Sequence, residues 1–114
     1  MAQRKRQYGK AMKRLVFKLA GGACEYCGQL VEIETSTIDH VDPVGADDVE
    51  NYRLACLSCN SRKTTKSLEE FRCCLAVRSA FTECEFSYNQ AHWLVQQDWF
   101  PVNGDEYTFH FELT

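Results

Sequence analysis

Two Cys-x-x-Cys pairs, Cys24/Cys27 and Cys56/Cys59, sit in a chain of 114 residues with 28 residues between them. Each such turn places two sulfurs on one face, so together the pairs offer four thiolates to a tetrahedral zinc and close the loop between them. A domain this small gains most from such a cross-link, because its core alone is modest. Structural zinc contributes about 10–16 kcal/mol in zinc-finger peptides. Four cysteines leave no open coordination position for water, so the zinc expected here is structural. Four buried thiols without a metal are the plainer alternative. The chain has seven cysteines, and an odd number leaves one thiol over from complete disulfide pairing. Cys73, Cys74 and Cys84 read as small core hydrophobes kept reduced in a cytosol.

The formal net charge of −3 argues mildly against a nucleic-acid partner until its distribution is read. Residues 1–66 hold 11 Lys/Arg against 8 Asp/Glu, whereas 67–114 hold 2 against 8. Segment 1–18 carries seven basic residues and no acidic one. That asymmetry fits a basic face for phosphate, with a solvated helix face as the bland alternative. Arg4, Lys5 and Arg6 precede Leu15-Val16-Phe17 as in a signal peptide, but Lys18 ends the apolar run at once. The segment reads as an amphipathic helix, no stretch is long enough to span a bilayer, and a cytoplasmic location is expected.

Tyr8, Met12, Leu15, Val16 and Leu19 recur at helical spacing and Gly21-Gly22 follows, which predicts a helix near 7–20. The first Cys-x-x-Cys is followed by Gly28, suited to a tight turn around a sulfur. The runs 30–33 and 36–41 are β-branched and predict two strands. Asp42-Pro43 opens an acidic loop, and 51–55 predicts a returning strand into the second knuckle, followed by a helical turn with Asn60, Arg62, Lys63 and Lys66. Ser67-Leu-Glu-Glu70 predicts a capped helix over 68–80, and Ser87-Tyr-Asn-Gln90 another near 88–98. Alternation of Tyr107, Phe109, Phe111 and Leu113 with polar residues predicts a half-buried terminal strand. The expected class is α+β: a single domain, 1–114, with a basic N-terminal helix (1–22), a zinc-stapled ββα core (23–66) and an acidic, aromatic extension of helix and strand (67–114).

Taken singly, Asp39, His40, Asn51 and Asn60 are unremarkable. In combination they are specific. Asp39-His40-Val-Asp-Pro43, then Asn51-Tyr-Arg-Leu54, then Cys56-Leu-Ser-Cys59-Asn60-Ser-Arg-Lys63 resembles the HNH endonuclease signature, and Cys24-Glu-Tyr-Cys27-Gly28 resembles its zinc-binding subset. The resemblance covers 24–66 and implies a ββα-metal fold. Asn60 stands where many members carry a final His; this HNN variant occurs in the family. A neutral amide oxygen suits hard Mg²⁺ or Mn²⁺ better than zinc.

The resemblance implies a metal-dependent DNA endonuclease that hydrolyses phosphodiester bonds by a one-metal mechanism. His40 is then the general base, Asp39 and Asn60 hold one divalent ion, and Asn51 braces the loop and orients His40. Arg62, Lys63 and Lys66 are expected to contact phosphate, and so are Lys10, Lys13 and Arg14 on the first helix. DNA is the expected partner. The aromatics Phe71, Phe81, Phe86, Trp93, Trp99 and Phe100 read as core that buttresses the ββα unit, with a homodimer or protein-partner surface on 67–114 as the alternative. Two other functions remain open at this point. A zinc-ribbon-like nucleic-acid-binding or protein-interaction module would bind without cleaving, and a thiol redox protein would hold no stoichiometric zinc.

Overall fold

The computed structural model describes residues 9–80 and 85–113. The chain divides into two compact units, Met1–Ser67 with Phe109–Thr114, and Leu68–Thr108. Among the described residues no helix is long and apolar enough to cross a membrane.

The first unit is built on a two-stranded antiparallel ribbon. Helix α1 (Lys10–Leu19) precedes strand β1 (Ser36–His40), which pairs with β2 (Tyr52–Cys56) in a register that sets Ile38 opposite Leu54, Asp39 opposite Arg53 and His40 opposite Tyr52. Helix α2 (Leu57–Lys63) follows β2 without a connecting residue. Alternation along the ribbon sends Ile38, Tyr52 and Leu54 to one face, where Val16, Met12 and Phe17 of α1 cover them. The predicted strands over 36–41 and 51–55, the loop between them and the helical turn after them are observed in that order.

Gly21 and Gly22 end α1 as the sequence predicts, through a geometric device. Gly21, at φ +67°, donates its N–H to Lys18 O while Gly22 donates to Phe17 O. These are the two bonds of a Schellman cap, in which a side chain at the left-handed position would be strained. The part of the predicted helix before residue 9, Tyr8 included, lies outside the described residues.

Two predicted strands are absent from the described residues. Residues 30–33 make only an isolated bridge, Leu30 to Ala23, and then a 3₁₀ turn at Ile33–Thr35. The bridge closes the first knuckle, so the backbone there is spent on the turn and not on the sheet. The predicted terminal strand is instead a 3₁₀ turn at His110–Leu113. Its backbone donates from His110 to Tyr26 O and from Phe111 to Glu25 O. The apolar alternation therefore serves to stack Phe109 and Phe111 on each other and edge-on against Tyr26, not to fill a sheet face.

The second unit packs α3 (Leu68–Ala80) against α4 (Tyr88–Val95). Ser87 and Gln90 form the predicted capping box, each side chain taking the other's backbone N–H. Cys73, Val77, Ala91 and Phe100 make the core, and Cys74 lies partly buried against it. Phe71 is fully buried, but Trp93 and Trp99 are 56% and 66% exposed, which corrects their assignment to the core. Phe81 and Cys84 lie outside the described residues.

Leu54 is fully buried under α1. Leu54→Ala should lower the unfolding free energy by about 2–5 kcal/mol. Urea titration checks this through a lower midpoint at an unchanged slope.

Candidate metal centre and active site

The sulfurs of Cys24, Cys27, Cys56 and Cys59 all lie within 4.8 Å of one another. Cys27 Sγ and Cys56 Sγ are 3.9 Å apart, close to the roughly 3.8 Å edge of a tetrahedron with 2.3 Å zinc–sulfur bonds. The surrounding electrostatics ask for a cation. Hydrogen bonding from the Cys59 thiol, joined by backbone N–H groups, pulls Cys24 down to about 4 against the opposing effect of burial. Burial, with the charge of Cys24 next to it, pushes Cys27 up to about 11. The same bond to Cys24, then burial, drives Cys59 upward. One thiolate is thus held at the expense of its neighbours, and four can coexist only around positive charge. These residues fit a structural zinc and could hold one.

Local sequence explains how the sulfurs converge. In the first turn Gly28, at φ +84°, donates to Cys24 O and Cys24 donates to Gln29 O. A Cβ at Gly28 would also lie 3.0 Å from His110 Nδ1, so the position demands glycine twice over. In the second turn Cys56 is the N-cap of α2 and its sulfur accepts the Cys59 N–H at 3.4 Å.

Asp39 is buried, and the motif gives no sign of what surrounds it. Oδ2 accepts the Tyr26 hydroxyl at 2.6 Å and pairs with Lys63 Nζ at 3.0 Å. Lys63 is fully buried and also donates to His40 O at 2.8 Å. Its ammonium is used inside the fold, so Lys63 leaves the set of expected phosphate contacts. Burial, joined by the Asp39 charge, raises the Tyr26 phenol far above its usual value and keeps it a donor. No described residue donates to Asp39 Oδ1. Among the described residues the only buried side-chain N or O atom without a hydrogen bond is Arg53 Nε, which lies 3.6 Å from Glu25 Oε2, and the Asp39 side chain as a whole is 8% exposed.

His40 ends β1 with its ring edge-on to Tyr52 and its Nε2 2.6 Å from Asp47 Oδ1. Nδ1 has no described hydrogen-bond partner, and the His40 side chain is 10% exposed. Strand alternation puts Asp39 on the Arg53 side of the ribbon and His40 on the Tyr52 side. Asn51 ties the intervening loop together: its Oδ1 accepts Asp42 N–H, and its Nδ2 donates to Asp42 O and Ala46 O. Its backbone carbonyl takes the N–H of Val41. The loop so braced carries Asp47 to His40.

Asn60 follows the buried Cys59 on α2 and stands three residues before Lys63, on the same side of the helix. Lys66 Nζ donates to Arg62 O, which fastens the end of α2. Arg62 and Lys66 are half-buried; on α1, Lys10 and Arg14 are exposed and Lys13 is half-buried. Nothing in the sequence singles out Tyr26 or Asp47. Tyr26 is an unconstrained position between two cysteines, and Asp47 is one of several acids in a loop.

Residues 24–66 match the model of the family described as HNH endonuclease, over less than half of the chain. Among solved structures the chain is similar to the Type II-C Cas9 enzyme from Actinomyces naeslundii, at 23% identity and a TM-score of 0.47. That likeness covers 76% of this chain and 9% of the Cas9 chain, so this protein spans a small fraction of that enzyme's length. No curated protein matches the chain.

Metal analysis of purified protein should give one zinc per chain. Cys24→Ser should lose it with a large fall in melting temperature, because binding energy of a structural zinc is folding energy. Gly28→Ala should retain zinc poorly and cost more than about 1 kcal/mol. Thermal unfolding with and without a chelator reads both effects.

Proposed function

We propose that the HNH endonuclease segment at residues 24–66 makes this chain a metal-dependent DNA endonuclease, with a four-cysteine structural zinc and a separate divalent ion for catalysis. The observation that carries the reading is a pair of acceptors without a described donor at the end of one strand. Asp39 Oδ1 and His40 Nδ1 belong to consecutive residues that face opposite sides of the ribbon, with side chains 8% and 10% exposed.

In-line hydrolysis asks for that separation. The attacking water and the departing oxygen lie on opposite sides of phosphorus, so base and cation must approach from different directions. A phosphodiester lying over the end of the ribbon meets His40 from one side and Asp39 from the other. His40 takes the water proton at Nδ1, while Asp47 holds Nε2 and with it the ring orientation. Asn51 keeps the loop that carries Asp47 in register. Asp39 and Asn60 would hold Mg²⁺ or Mn²⁺, which would supply charge neutralisation for the phosphodiester. Neutral and anionic oxygen donors suit such an ion, and two protein ligands leave room for water and phosphate.

Lys10, Lys13 and Arg14 on α1 supply salt-sensitive contacts to the DNA backbone, with Arg62 and Lys66 beside the site. Lys63 has a structural place instead, between Asp39 and the His40 carbonyl.

Supercoiled plasmid incubated with Mg²⁺ or Mn²⁺ tests the reading. His40→Ala should slow cleavage by about 10²–10⁴-fold with zinc content and melting temperature unchanged, and EDTA should stop the wild-type protein. A His40→Ala protein that cuts at the wild-type rate would falsify the assignment of the base.

A further inference from the structure

We propose that Tyr26 is a positioning residue for the catalytic cation: together with Lys63 it occupies Oδ2 of Asp39, and so leaves Oδ1 as the one carboxylate oxygen available to a divalent ion. The inference rests on the nuclease reading above and adds to it a residue from the zinc knuckle and a mode of ligation.

A carboxylate turns freely about its last torsion unless something holds it, because that torsion has no sharp rotamer. Here two donors converge on the same oxygen, the Tyr26 hydroxyl at 2.6 Å and the Lys63 ammonium at 3.0 Å. Their approach fixes the carboxylate plane and takes up the Oδ2 lone pairs. Oδ1 has no described donor, and the Asp39 side chain is 8% exposed. An ion reaching Asp39 therefore finds one oxygen, already aimed.

Tyr26 is itself held from three sides. It lies between two cysteines of the metal centre, its ring meets Phe109 and Phe111 edge-on, and its carbonyl accepts the His110 N–H. The hydroxyl cannot follow a carboxylate that rotates. Single-oxygen ligation suits Mg²⁺ and Mn²⁺, whose octahedral shells keep several waters, and it disfavours Ca²⁺, which readily takes both oxygens of a carboxylate.

Tyr26→Phe removes only the hydroxyl, and full-length, zinc-loaded protein without DNA is the material for the test. Mn²⁺ binding is read by electron paramagnetic resonance in the wild type, Tyr26→Phe and Asp39→Ala, with zinc content and melting temperature measured alongside. The expected result is Asp39-dependent Mn²⁺ binding that weakens about 10- to 100-fold in Tyr26→Phe, with zinc retained and the preference for Mn²⁺ over Ca²⁺ reduced. Affinity and preference equal to wild type in Tyr26→Phe overturn the role of Tyr26 and leave the nuclease reading standing. Mn²⁺ binding that is absent, or indifferent to Asp39→Ala, overturns the cation assignment of the nuclease reading and this proposal with it. Should Tyr26→Phe lose its zinc, a crystal structure of wild-type protein soaked in Mn²⁺ decides. An ion on Oδ1 alone, with the Tyr26 hydroxyl still on Oδ2, supports the proposal, and an ion on Oδ2 or on both oxygens overturns it.

Discussion

Four sulfurs held within 4.8 Å of one another are the constraint from which the first unit follows. Bringing them together closes a loop of 28 residues, at an entropic cost that grows only slowly with length. It also sets two directions. The turn at Cys24 and Cys27 aims Tyr26 into the protein, and the turn at Cys56 and Cys59 starts α2, which delivers Lys63 one helical turn later. Both arms end on the same oxygen of Asp39. The metal centre and the candidate active site are thus joined by two short, rigid levers of known length.

The second lever has an energetic condition attached. A fully buried ammonium is tolerated only where anion and dipole replace its water, and Lys63 has the Asp39 carboxylate and the His40 carbonyl. Removing one partner from such a pair typically costs about 3–5 kcal/mol, because the other charge is left buried. The carboxylate expected to hold a catalytic cation is therefore also a structural counter-ion. It can serve both ends because its two oxygens are used differently, one taken up by Tyr26 and Lys63 and one without a described donor.

Features fixed by neighbours in sequence are legible in it. The cysteine turns, the Gly21-Gly22 stop, the ribbon strands and the Ser87–Gln90 capping box each depend on a few adjacent residues, and each is present. What escapes depends on partners far along the chain. Alternating Phe109 and Phe111 suggest a strand locally, yet their environment is Tyr26, more than eighty positions away, and the tail bonds to knuckle carbonyls instead. Lys63 in a run with Arg62 and Lys66 looks like one more surface cation, and nothing adjacent announces that Asp39 lies 3.0 Å from its Nζ. The size of Trp93 and Trp99 suggests core, but α4 buries Ala91 and not Trp93, and beyond α4 it is Phe100 and not Trp99 that is buried.

Charge near the ribbon end bears on what the proposed reaction requires. The loop over 42–50 carries four carboxylates, Asp42, Asp47, Asp48 and Glu50, beside the His40 that is expected to meet a phosphodiester. Three of them have local work: Asp42 accepts the Val44 N–H, Asp48 accepts the Glu50 N–H and Asp47 holds His40. Hydrogen bonding does not remove their charge, and with Asp39 they present a negative field to an anionic substrate. The Lys63 ammonium offsets at most one of these charges, and it faces inward. In the proposed reading the basic residues of α1 would draw DNA to the protein, and Arg62, Lys66 and a cation at Asp39 would supply the positive charge that lets a phosphate approach His40. The divalent cation proposed at Asp39 would also offset the charge of this loop. Held by Asp39 and Asn60, such an ion would supply the charge neutralisation that an anionic phosphate needs beside these carboxylates.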